Sequence, residues 1–381
     1  MKNYALLASF ALLVSSAAIA QNGFVYTNDN VNTGIINENP ANTVSAFQVG
    51  ADGGLTLLPD SPFKTGGLGG GNSIDPEEIA IATQNGSNFL YAANDGSGTI
   101  SGFKINSTTG MLTRIPGSPF LADGAPGGDY SLTATPSGKY LYATSDATTV
   151  IHIYEISSEG VLSEVGVPVQ TGANSQGLKV TPNGKFLVVG EGSLTAVGVY
   201  NVAANGGLSA VANSPFAASA TPFDLDVNCA SNLVFVVDSG SVIDVYSMAS
   251  DGSLTPVPKE PFTNGTSSTN GGVVLSPNNQ FLFVTDTFSS EISSLAVSSD
   301  GALTQVPNSP FPGENWTGGI AATRNGKFVY SALFTVAQVD GAYVNAAGEL
   351  KAVAGSPFST GQAQTGVPTV ITFPAPICSA Q

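Results

Sequence analysis

Basic side chains are scarce in this chain. Lys and Arg together number 11 of 381 residues against 27 Asp and Glu, giving a formal charge of −16. A chain so acidic cannot neutralise a run of phosphates, which excludes nucleic acid as a partner. Arg114 and Arg324 are its only arginines, so a phosphorylated ligand lacks the forked donors that grip phosphate bidentately. His152 is the single histidine, which rules out a His-pair metal site. There is no Gly-x-Ser-x-Gly elbow and no compact Asp-x-Asp-x-Asp-Gly loop. The glycine run Gly66–Gly71 contains no Lys and reads as a loop rather than a phosphate cradle. Long apolar runs are also missing after the first twenty residues. There, Lys2, the apolar stretch Tyr4–Ile19 and the small-x-small triplet Ala18-Ile19-Ala20 read as a signal peptide over 1–20. The mature chain, 21–381, is expected to be a single domain, secreted or periplasmic, free of the membrane after cleavage, and monomeric.

Glycine is abundant, 45 residues, and it punctuates a repeat. Gly272–Phe311 holds four short runs rich in Val, Leu, Phe and Thr (Val273–Leu275, Phe281–Thr285, Ile292–Val297 and Leu303–Val306), each bounded by Pro, Asn, Asp, Gly or Ser. That pattern predicts four strands joined by tight turns. Its closing Ser-Pro-Phe recurs at Ser61–Phe63, Ser118–Phe120, Ser214–Phe216, Ser309–Phe311 and Ser356–Phe358, with Glu260-Pro261-Phe262 as a near copy. Four strands at a fixed period predict an all-β propeller. Six complete units begin near Glu78, Tyr130, Gln176, Phe223, Gly271 and Gly318. The N-terminal residues Phe24–Asp29 start instead on a second-strand pattern, and the missing first strand lies at Gly366–Phe373. Both termini therefore build one blade, which makes seven and removes the open sheet edges. The Phe of each Ser-Pro-Phe is expected between blades at the outer corner, with Pro ending the edge strand.

The turn-plus-strand segment Thr135–Asp146 (TPSGKYLYATSD), its copies in other units and the closing pattern ending in Ser-Pro-Phe resemble the lactonase-type seven-bladed propellers, over essentially the whole mature chain. That group includes 6-phosphogluconolactonases and many exported repeat proteins. The resemblance implies the fold and, as one reading, lactone hydrolysis. Where its catalytic members carry His at the starts of first strands and Arg around the channel, this chain has Glu78, Tyr130, Gln176, Phe223, Gly271 and Gly318.

Strand direction places two rings on the upper face. First-strand starts supply Glu77, Glu78, Asp129, Tyr130, Gln176, Phe223 and Asp224; second-strand ends supply Asp29, Glu191, Asp238 and Asp286. The second ring either caps turns through local hydrogen bonds or offers oxygen ligands to a divalent cation such as Ca²⁺. Glu77, Glu78, Tyr130, Gln176 and Phe223, with Trp316 from a loop on the same face, suit a small molecule, a carbohydrate or a protein partner. On this reading the protein is a binding scaffold. The alternative is a lactone hydrolase with Glu78, Asp129 or Asp224 as its base. Cys229 and Cys378 are both expected on the lower face, and a disulfide between them would pin the C-terminal tail across blades.

Overall fold

A computed structural model describes residues 23–31, 42–71, 77–122, 127–172, 174–264, 270–313, 317–333, 335–362, 369–376 and 378. The signal peptide expected over 1–20, and Trp316, lie outside the described residues. Seven antiparallel sheets follow one another in chain order around a central channel. In blade 2 the strands run from the channel outward as Ile79–Gln84, Ser87–Asn94, Thr99–Ile105 and Leu112–Arg114. The first strands of blades 3 to 7 are Tyr130–Ala134, Ser175–Val180, Pro222–Val227, Asn270–Leu275 and Thr317–Ala322. Blade 1 is composite: Thr369–Phe373 pairs antiparallel with Phe24–Asn28, placing Phe24 opposite Phe373 and Asn28 opposite Thr369. The two ends of the chain thus close the ring.

Each sheet has a fifth strand that the four-strand expectation lacks. The Phe after each Ser-Pro opens a two-residue strand, such as Phe63–Lys64, that pairs with the start of its blade's third strand. The peptide bond before each of these prolines is cis. The preceding Ser accepts a third-strand N–H, as Ser118 Oγ does from Gly102 at 2.9 Å and Ser309 Oγ from Ser294 at 2.9 Å. The tag therefore satisfies backbone donors where the short fourth strand stops. Its Phe packs into the interblade cores, Phe120 against one and Phe262 against another.

The apolar core is divided into seven, one between each pair of neighbouring blades. Both sides of every sheet are covered, which explains second strands such as Leu233–Asp238 that are buried at every residue. A recurring latch joins four of the blades to the one before them. Gly110, in the outer hairpin of blade 2, has φ +72, and a Cβ there would meet the Phe24 ring at 2.3 Å. Its carbonyl accepts the Tyr26 hydroxyl at 2.8 Å. Tyr91 and Tyr142 repeat the bond to Gly160 and Gly206, at 2.8 and 2.9 Å. Gly53 of blade 1 takes Tyr330 of blade 7 at 2.7 Å. Val188, Phe235 and Phe283 stand at the tyrosine position of blades 4, 5 and 6, where the glycines Gly252, Gly301 and Gly348 keep the packing on Phe186, Leu233 and Phe281 without a tyrosine hydroxyl.

Cys229 and Cys378 form a disulfide across 149 residues of chain, fixing the tail to the lower turn of blade 5. The tail leaves the innermost strand of blade 1, so it reaches this turn beneath blades 7 and 6.

Breaking one latch should destabilise the whole ring. Tyr91→Phe should lower the unfolding free energy by about 1–2 kcal/mol in urea, since the Gly160 carbonyl loses its buried donor. Gly160→Ala should cost more, because it combines a left-handed φ of +83 with a Cβ only 2.6 Å from Phe89 and Ile115. Equal effects from the two substitutions would remove the latch as an explanation.

Candidate functional site

One level of the channel is set by strand register. Ile371 lies opposite Tyr26, Ala80 opposite Tyr91, Thr133 opposite Tyr142 and Lys179 opposite Val188. Asp226 lies opposite Phe235, Val274 opposite Phe283 and Ala321 opposite Tyr330. All seven line a cavity of about 340 Å³ bounded by the first strands of every blade. Five are apolar or small. The adjacent blades 4 and 5 contribute the exceptions, Lys179 and Asp226.

Glu77 joins them from the loop entering blade 2. Its Oε1 lies 2.9 Å from Lys179 Nζ, and its Oε2 accepts the Leu178 N–H. The pair therefore passes blade 3 and links blade 2 directly to blade 4. A β-bulge at Gly177, φ +69, takes the Leu178 N–H out of the ladder and presents it to Glu77. Asp224 and Asp226 repeat the device on blade 6. Asp224 accepts from Leu225 N and Val273 N, both at 2.8 Å, and Asp226 from Val227 N and Leu275 N, both at 2.9 Å. Three carboxyl groups thus staple the innermost strands while facing one ammonium.

Burial drives the electrostatics. It pushes the Glu77 carboxyl up, and the Lys179 charge pulls it partly back. Asp224 is held well above the usual carboxylate range, first by burial and then by the Glu77 charge, which favours its protonated form. Burial opposes the Lys179 charge, but Glu77, Asp226 and Asp224 outweigh it and raise its pKa, so it remains an ammonium. The Lys179 side chain keeps 35% of its surface accessible while Glu77 keeps 8%, and that lysine surface lies on the cavity rather than on the protein exterior. Carboxyl groups with separated proton affinities beside a fixed cation can move protons and draw a carbonyl oxygen.

Of the residues expected from the sequence, Glu77 and Asp224 meet at this cluster. Glu78 does not. It is fully buried, accepting from Asn28 Nδ2 at 3.1 Å and Asn30 Nδ2 at 3.3 Å. Asp129 closes a loop, its N–H donating to Asp146 Oδ1 at 2.9 Å. Tyr130, Gln176 and Phe223 are buried, with Tyr130 in the core between blades 2 and 3. The second-strand ring is buried as well, and its members turn to local donors. Asp29 accepts from Thr27, Thr43 and Ser45 at 2.6–2.7 Å; Glu191 from Tyr200 at 2.8 Å and Gly172 at 3.2 Å. Asp238 accepts from Ala220 N at 3.0 Å, and Asp286 from Asn264 and Ser293. These four stand on four blades, and among the described residues no three His, Cys, Asp or Glu side chains gather closely enough to hold a metal ion. The donors include hydroxyl groups of the third strands, Thr43, Ser45, Tyr200 and Ser293.

Sequence reasoning missed Lys179 and Asp226. The signal was present: Leu178-Lys179-Val180 and Leu225-Asp226-Val227 put a charge at the central position where other copies have Ala80, Thr133, Val274, Ala321 or Ile371.

The chain matches the family described as "Lactonase, 7-bladed beta-propeller" through overlapping segments 35–175, 80–224 and 129–354. No curated protein matches it. Among solved structures it is similar to a Bacteroides fragilis protein provisionally assigned as a 6-phosphogluconolactonase: 16% identity, TM-score 0.74, 92% of this chain and 98% of that one covered. It is also similar to a Lactobacillus plantarum protein, at 16% identity and TM-score 0.73, covering 92% and 99%. A third is the periplasmic gluconolactonase of Pseudomonas aeruginosa, at 17% identity and TM-score 0.68, covering 88% and 98%.

Two stability measurements test this electrostatic picture. Lys179→Met should destabilise by about 2–4 kcal/mol by leaving Glu77 buried without its cation, and adding Glu77→Gln should restore much of that loss; strict additivity would remove the pairing. Burial raises Asp29 to about 6, and the folded state therefore binds more protons than the unfolded chain between pH 4 and 6. Asp29 should account for a fall of about 3 kcal/mol as pH rises through that window, read by urea unfolding as the difference in slope between the native chain and the Asp29→Asn variant. Asp29→Asn should reduce the slope, leaving the part due to other raised carboxyl groups such as Asp238.

Proposed function

The chain belongs to the seven-bladed β-propeller lactonase family, and we propose that it hydrolyses an uncharged lactone at the channel cluster of Glu77, Lys179, Asp224 and Asp226. The observation carrying this reading is the meeting of three carboxyl groups and one ammonium on the channel wall. A phosphorylated lactone would face more negative than positive charge there, and neither arginine is placed to offset it. Arg114 is turned to the Thr65 carbonyl at 3.4 Å, and Arg324 lies at a lower turn.

Lys179 draws the lactone carbonyl oxygen and stabilises the charge that develops on it. Asp226 takes a proton from the attacking water, whose oxygen bonds to the carbonyl carbon. The ring C–O bond then breaks, and Asp224, whose burial favours the protonated form, gives its proton to the departing alkoxide. The product is a hydroxy acid. Glu77 positions Lys179. The carboxylates expected on the upper face (Asp29, Glu78, Glu191, Asp238 and Asp286) are buried against internal donors, which favours the channel over that face as the site. Export remains part of this reading. It is supported by the signal-peptide pattern and by the Cys229–Cys378 disulfide, which suits an oxidising compartment.

The test is initial-rate hydrolysis of an uncharged aldonolactone and of its phosphate ester, measured by acid release against the spontaneous rate. Turnover of the uncharged lactone is expected. Lys179→Met and Asp226→Asn should each lower kcat by about 10²-fold or more with the disulfide intact. No rate above background, or full activity in Lys179→Met, would overturn the proposal. Preference for the phosphate ester would overturn its substrate assignment.

A further inference from the structure

The charged cluster lies close to one end of its cavity. Lys179, Asp226 and Val274 each stand three residues before a lower-turn residue that lines the same cavity, Pro182, Cys229 and Pro277. That is about 10 Å of chain. The upper-face residues Glu78, Tyr130, Gln176 and Phe223 are buried, and none of them lines the cavity. The lower mouth is therefore the near entrance to the cluster. The tail runs across it, and Ala375, Pro376 and Cys378 line the cavity too. It leaves blade 1 after Phe373 and is bonded through Cys378, five residues on, to Cys229 of blade 5. Blades 1 and 5 stand three steps apart, the widest separation in a ring of seven. Five residues extend at most about 17 Å, which suits a line across the opening and not a path around its rim.

The disulfide is what fastens this tail. Ala375, Pro376 and Cys378 are exposed, and they make no hydrogen bond among the described residues. Cys229, by contrast, is anchored in its turn, its N–H donating to Asn279 Oδ1 at 3.1 Å. We infer that the tail is a strap over the entrance to the channel site, held shut by the Cys229–Cys378 disulfide and released when a dithiol reduces that bond. This rests on reading the cluster as the site and adds its regulation. In the release, one thiolate of the dithiol attacks the exposed Cys378 sulfur, and the Cys229 sulfur departs and takes up a proton. The second thiolate then displaces Cys378, which leaves as a thiol, and the dithiol ends as a cyclic disulfide. Two electrons and two protons have passed to the cysteines.

The experiment labels the full chain with two water-soluble succinimidyl esters, one of acetate and one of a biotin-sized acid, and reads each lysine by peptide mass spectrometry. Lys179 reports entry to the cavity; Lys139 and Lys185, exposed on lower turns, are the internal reference. Entry scales with the fraction of chains whose strap is open, so reduction with dithiothreitol should raise bulky labelling of Lys179 about tenfold against the reference. The acetyl ester should respond less. Reoxidation should reverse the change, and Cys378→Ser should reproduce it. Four glycines inserted after Pro376 slacken the strap with the disulfide kept, and serve should the reduced chain or Cys378→Ser lose its circular-dichroism spectrum. Lys179 labelling that is the same in the oxidised, reduced and inserted chains overturns the strap. Hydrolysis of an uncharged aldonolactone is followed in parallel on unlabelled protein, with kcat/KM expected to rise on release. Labelling that opens with no turnover in any form supports the strap and sinks the hydrolase reading. Turnover with unchanged labelling overturns the strap and leaves that reading standing.

Discussion

The contact on which the structure depends is the latch between an outer-hairpin glycine of one blade and the second strand of the blade before it. Gly110 rests on Phe24 and accepts from Tyr26; Gly53 rests on Phe328 and accepts from Tyr330. Without a Cβ the hairpin backbone can lie flat on an aromatic ring, and the carbonyl is left pointing at a hydroxyl two residues along. The glycine packing recurs around the circle, with the tyrosine hydroxyl bond at four junctions, and sets how closely successive sheets approach. It also sets the width of the channel, because the first strand of each blade is held by the same sheet. The terminal strand Thr369–Phe373 then enters a space already shaped by its neighbours.

A channel of fixed width lined by seven strands creates a local polarity problem. First strands have no partner on their channel edge, so some of their N–H groups need acceptors from elsewhere. The chain meets this with carboxylates from other blades, Glu77 across blade 3 and Asp224 from the next blade, and the consequence is buried negative charge in a protein already acidic. Lys179 is the compensating cation. The same groups therefore stabilise the strands and create a site with unequal proton affinities. Removing Lys179 perturbs both at once, so a stability measurement beside the rate measurement is needed to separate its two roles.

The fold was legible because the repeat is local. Turn residues, strand alternation and the Ser-Pro-Phe tag recur in each copy, and the half-units at the two ends could be fitted together by pattern alone. The site was legible only in part. Glu77 and Asp224 stood out as acids at strand starts, but Glu78, one residue on, turns to Asn28 and Asn30 instead of to the channel. A one-residue difference in a strand reverses the direction of the side chain, and strand starts carry no register signal in sequence. Lys179 looked like one more alternating charge in an ordinary strand. Its meaning came from Glu77, 102 positions earlier in the chain, and from a bulge that no motif announces. The ring of Asp29, Glu191, Asp238 and Asp286 was read from sequence either as local acceptors or as cation ligands, and its members accept from nearby donors such as Ser45, Tyr200, Ala220 and Ser293.

The bulges themselves are not evenly distributed. First strands pair with second strands in unbroken register in blades 1, 2 and 3, whereas those of blades 4, 5, 6 and 7 shift. The carboxylate staples fall on the shifted side: Leu178 of blade 4 is met by Glu77, and Val273 of blade 6 by Asp224. In blade 6 a threonine does related work, Thr285 Oγ1 accepting from Gly272 N and donating to the Gly318 carbonyl of blade 7, both at 2.6 Å. Seven equal blades would give a symmetric tube with nothing to orient a ligand. Two of the four shifted blades, 4 and 5, bring Lys179 and Asp226 to one side of the channel, while blades 1 and 2 set Ile371 and Ala80 at the same level. The departure from repeat symmetry, rather than the repeat, is what makes a directional site.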